Sequence, residues 1–123
     1  FFRHNKNRQF VIKLLDELIQ MRKQPTGISG DSLMLACYLL GLHNELEDCL
    51  RIWETKTIDF DTYCYIDIQL VPFAGVDKTI AFLKIQTSKE ATDALEYVTA
   101  CKESGDFKNL DDYFLHGTMP WFV

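Results

Sequence analysis

The densest group of chemically capable side chains is Asp59-Phe60-Asp61-Thr62-Tyr63-Cys64-Tyr65-Ile66-Asp67, which holds three carboxylates and two phenols within nine residues. Aromatic rings among charges are the composition of protein-binding hot spots, and clustered acids speed encounter with basic partners. The same residues have a structural use. Asp59 or Asp61 can cap a helix, and the tyrosines can pack with their hydroxyls at an edge. A second acidic group, Glu45, Glu47 and Asp48, reads either as a solvated helix face or as a further contact. Trp53 belongs to the expected core, while Trp121 is a C-terminal plug or an exposed anchor. The candidate partner-binding residues are therefore Asp59, Asp61, Tyr63, Tyr65, Asp67, Glu45, Glu47, Asp48 and Trp121.

Catalytic and metal chemistry find little support. His4, His43 and His116 lie far apart, with no H-x-x-x-H or H-E-x-x-H spacing. Phosphate-loop, dinucleotide-binding and G-x-S-x-G patterns do not occur. Cys37, Cys49, Cys64 and Cys101 are separated by 12, 15 and 37 residues, without a C-x-x-C pair or a nearby histidine at ligand spacing. Cys37 and Cys49 fall among leucines, where a free thiol acts as a small hydrophobe. The expectation is a non-enzymatic protein with no cofactor, no metal and reduced thiols in a cytoplasmic setting.

The elements that must position these residues have to come from one small chain. At 123 residues the sequence predicts a single domain, large enough to bury a core without disulfides. Its 47% apolar and 25% charged residues exclude a disordered chain. No apolar run approaches the ~20 residues of a bilayer span. The chain opens on Phe1 rather than Met, so a leader preceding it stays open. The net charge of −5 divides unevenly: residues 1–30 carry +4 and the remainder −9. An acidic body repels nucleic acid and anionic membranes and attracts basic proteins.

Periodicity predicts helices throughout. Phe10, Val11, Leu14, Leu15, Leu18 and Ile19 line one face of a helix over 5–23, stopped by Gln24-Pro25-Thr26-Gly27. Asp31 caps an almost wholly apolar helix, Ser32 to Leu40, ended by Gly41. Asn44 and Glu47 resemble a capping box opening a third helix through Lys56, which forms a hairpin with the second. The segment 59–73 is ambiguous. Cys64, Ile66, Ile68 and Leu70 alternate as in a strand, and 79–86 could pair with it as a hairpin. Potential caps at Asp59, Asp61 and Asp77, the stop at Gly75 and the want of a third strand favour helices instead. Thr87 and Glu90 form a capping box for a helix ending at Gly105. Asn109 to His116 is a short terminal helix before an apolar tail.

Aligning Gly41, Gly75 and Gly105, 34 and 30 residues apart, gives three degenerate copies of turn glycine, cap and apolar helix start. The expected fold is all-α: six to seven helices stacked as hairpins in an α-solenoid-like array, the alternative being α+β with a hairpin at 59–86. Leu39-Leu40-Gly41, Glu45-Leu46-Glu47-Asp48, Ile52-Trp53-Glu54, Asp59-Phe60-Asp61-Thr62 and Gly75 resemble small bacterial α-helical repeat proteins. These include the immunity proteins of contact-dependent and other polymorphic toxin systems. The resemblance spans about residues 31–116 and leaves the basic start outside it. It implies a cytoplasmic protein that binds a cognate toxin domain, often a basic nuclease, and blocks its active site. A helical-repeat scaffold for a peptide or protein partner is the alternative.

Overall fold

The computed structural model describes residues 5–24, 28–108 and 110. Six α-helices and no strand occur among them: α1 (Asn5–Arg22), α2 (Gly30–Gly41), α3 (Asp48–Lys56), α4 (Phe60–Tyr65), α5 (Val76–Lys84) and α6 (Lys89–Glu103), with a 3-10 turn at Ile68–Leu70. The fold is all-α, and the hairpin alternative at 59–86 is excluded. No helix among the described residues is long and apolar enough to cross a membrane.

Packing follows the apolar faces. Val11, Ile12 and Leu15 turn α1 onto α2. α2 lies between α1 and α3, which explains why Leu33, Met34, Ala36, Cys37 and Leu40 leave it almost no polar face. α3 touches α2, α4 and α6, and α6 carries α5, so the two helical hairpins α2/α3 and α5/α6 join through α3 and α6. The small side chains of Ala91 and Ala94 in α6, both fully buried, permit close helix approach.

Several local expectations shift. Asn44 does not cap α3. It adopts a left-handed conformation (φ 58°), which asparagine tolerates, and its N–H donates to Gly41 O at 3.0 Å to close the turn after α2. Three successive i+3 bonds from Asp48, Cys49 and Leu50 then delay α3 until Asp48. Ser88, not Thr87, caps α6 by accepting from Ala91 N at 3.1 Å. Ser29 precedes α2, leaving Asp31 in its first turn, and Gly75 occupies the position before α5. The period-two signal after residue 63 arises from α4 running into the 3-10 turn: Ile66 and Leu70 are buried, but Cys64 is exposed. The repeat glycines are not equivalent. Gly75 and Gly105 have φ of 119° and 84°, whereas Gly41 ends α2 beneath Phe73. The helix expected at Asn109 to His116 and the tail with Trp121 lie outside the described residues.

One charge pair ties the basic first helix to the acidic body. Arg8 Nε and Nη2 each donate to a different carboxylate oxygen of Asp48 at 2.8 Å, and Nη2 also reaches Glu47 at 3.2 Å. The fork geometry suits a guanidinium and raises its affinity for its proton. Asp48 is 2% exposed, so the expected solvated acidic face at Glu45, Glu47 and Asp48 holds only for the two glutamates. Arg51 reaches Asp16 at 3.4 Å and adds an exposed contact between the same two helices.

Truncation should expose an asymmetry. Arg8→Ala strands the deeper charge and should cost about 3 kcal/mol in chemical denaturation, whereas Asp48→Asn strands an arginine that water still reaches and should cost about 2 kcal/mol. Equal losses would show that depth does not set the cost. The thiols give a second test. Burial pushes Cys37 and Cys49 up to about 12 and Cys101 up to about 11. A thiol reagent should modify only exposed Cys64 in the native chain and all four cysteines after unfolding without reductant.

Candidate functional site

α4 is six residues long, too short to persist alone, and it is held by its cap and by contacts with α1, α2, α3 and α6. It lies where the C-terminal end of α1, the N-terminal end of α2 and the C-terminal end of α3 meet.

Its N-terminus is held by Asp59, whose Oδ1 accepts from Thr62 N at 2.8 Å while Oδ2 accepts from Arg22 Nε at 3.2 Å. The Thr62 amide and then the guanidinium hold this carboxyl below its ordinary value. Arg22 in turn donates to Ile28 O at 2.6 Å, fixing the chain entering α2. The C-terminus is held by Lys56, only 3% exposed, whose ammonium donates to the carbonyls of Tyr63 and Ile66. These oxygens belong to the end of α4, where carbonyls lack helical partners and a cation meets the negative end of the dipole. The ammonium also lies 4.8 Å from the Tyr63 ring centroid and 6.0 Å from that of Tyr97. Burial lowers its affinity for the proton, and the charge of Asp67 acts in the opposite sense.

Aromatic packing completes the seat. Tyr63 meets Tyr97 edge-on at 5.5 Å, and Tyr97 meets Trp53 at 5.4 Å, joining α4 to α6 and α3. The hydrogen bond with Tyr63, and after it burial, raises the Tyr97 phenol above its usual range. Tyr65 lies against Gly30 and donates its hydroxyl to Asp31. A Cβ at position 30 would come within 2.8 Å of the ring, so the start of α2 accepts only glycine beneath it.

What remains outward is narrow. Phe60 is 77% exposed, and Asp61 and Cys64 are exposed beside it. The structure thus divides the cluster read from sequence. Asp61 faces solvent, and Asp59 is exposed but occupied as cap and ion partner. Tyr63 is half-buried in the seat, and Tyr65 is pinned at the rim. Asp67 is half-buried where its charge supports Lys56. Glu45 and Glu47 stand in the turn before α3, apart from these residues in the chain, and Trp121 is not described. Sequence reasoning did not single out Phe60, Arg22, Gly30 or Lys56. Phe60 follows the capping Asp59 at the first helical position and is left facing solvent. Nothing local in the sequence marks Lys56 as buried. No protein family, curated protein or solved structure matches this chain.

Lys56→Met should leave two carbonyls without their donor and cost about 2 kcal/mol, with loss of amide protection confined first to residues 60–66. Uniform loss across all helices would argue that Lys56 serves the whole core instead. Acid should act at the other end of α4. Because the folded-state pKa of Asp59 is lowered, its contribution is complete above the unfolded value of about 3.9 and disappears as pH falls through the lower folded value. Asp59→Asn should flatten that part of the stability–pH curve, followed by circular dichroism.

Proposed function

We propose that this chain is a protein-binding domain for a basic partner, and in its most specific form an immunity protein. It would cover the substrate groove of a basic, nuclease-type toxin domain. The observation that carries this reading is Phe60, a phenylalanine 77% exposed beside the solvent-facing Asp61 on a helix anchored at both ends. The anchored backbone beneath this ring need not be ordered on docking, and burial of the ring supplies the main binding energy. Asp61, and the net charge of −5 on the chain, supply long-range attraction to a positive surface. A groove built to hold phosphates has that sign, and carboxylates can occupy it.

The test uses the product of the adjacent upstream reading frame. Its C-terminal domain should arrest growth of host cells when expressed alone and fail to do so when this chain is co-expressed. In the purified pair, Phe60→Ala should weaken binding by ~2 kcal/mol, chiefly through the off-rate. Asp61→Asn should slow association at low salt, with the difference shrinking near 0.5 M salt as screening shortens to about 4 Å. Growth arrest unrelieved by this chain would remove the immunity reading. A complex that tolerates Phe60→Ala in a variant melting like the parent would remove the α4 face from the interface.

A further inference from the structure

Outside α4, α1 carries a second apolar line that no described residue covers. Phe10 is 66% exposed, Met21 49% exposed and Leu14 half-buried. At 100° per residue these three lie within about 40° of one another on the helix. The stripe is turned roughly 120° from Leu15, at the centre of the buried face. Lys13 and Glu17 are exposed along one margin of this stripe.

The stripe is self-complementary about its own midpoint. When a second copy of α1 runs antiparallel across it, a two-fold axis between residues 15 and 16 sets Phe10 opposite Met21 of the other copy, in both directions. The same rotation keeps like margins together, so Lys13 of each copy comes beside Glu17 of the other. A closed two-fold interface requires a patch that satisfies itself in this way. In a parallel pair the two-fold axis runs along the seam and puts the two Lys13–Glu17 margins on opposite sides of it, so these ion pairs form only in the antiparallel arrangement. We propose that α1 pairs with α1 of a second copy of this chain, antiparallel, through Phe10, Leu14 and Met21, with reciprocal Lys13–Glu17 ion pairs. An 18-residue helix is about 27 Å long, so one such seam falls below the ~800 Å² per partner of a standard interface and gives a weak, concentration-dependent dimer. None of its residues belongs to α4, so this pairing stands or falls independently of the partner proposed above.

Sedimentation equilibrium of the full chain, from about 1 µM to 1 mM, reads the association over the corresponding affinity range. The expected result is a monomer–dimer equilibrium that Phe10→Ser weakens at least tenfold. Lys13→Glu and Glu17→Lys should each weaken it severalfold by creating like-charge contacts, and the double exchange K13E/E17K should regain most of the loss. All variants replace exposed side chains and are first shown to melt like the parent. A chain monomeric at every concentration overturns the proposal, including the case in which the chain's own terminal segments cover the stripe. A dimer indifferent to Phe10→Ser, or a double exchange no better than its singles, overturns it equally.

Discussion

A buried ammonium can be kept charged inside a protein only where oxygen atoms and π-faces replace the water it loses, and Lys56 meets that condition at the end of α4. Its two carbonyl acceptors are those the short helix cannot satisfy for itself, and its two aromatic neighbours come from α4 and α6. One side chain therefore joins the last turn of α3 to the last turn of α4 and to the face of α6. With Asp59 at the opposite end, a negative group holds the N-terminus and a positive group the C-terminus. That is the arrangement the helix dipole favours, and here it sustains a helix of six residues. The outward position of Phe60 follows from this seat rather than from any preference of its own.

The uneven charge of the chain has a second explanation once it is folded. Arg8 is committed to Asp48 and Glu47, and Arg22 to Asp59 and the carbonyl of Ile28. The basic start is in part the counter-charge of the acidic body, drawn onto it by α1. What remains on the outside of the described body is acidic on balance, with cations such as Lys13, Lys78 and Lys84 interspersed, and Phe60 stands there beside Asp61. An apolar ring among like charges is shielded from casual association yet open to a partner of opposite sign.

The site was only partly legible beforehand. The stretch 59–67 drew attention by composition, and Asp59 was readable as a cap because it precedes a short helix with an amide three residues on. Its tyrosines read as equals, yet Tyr63 packs on Tyr97 while Tyr65 lies against Gly30. Direction within a short helix depends on what it packs against, and those contacts come from Gly30, Asp31, Lys56 and Tyr97, up to 35 residues away in sequence. Asp48 was misread for the same reason. A carboxylate in an acidic run looks solvated until Arg8, forty residues earlier, is brought to it.

The sequence by itself determined that this chain folds as helices and where most of them run. Helical periodicity and chain breakers are local properties, and α1, α2 and α6 each carry an apolar stripe long enough to register them. It also determined the charge imbalance, a matter of composition, and that an aspartate at 59 or 61 caps a helix, which rests on neighbours within one turn. Tertiary structure alone decided which acids are buried, which aromatic faces water and which cation replaces solvent at the end of α4. Burial and electrostatic partnership are properties of groups distant in the chain, and their energies exist only once α1, α2, α3 and α6 have closed around α4.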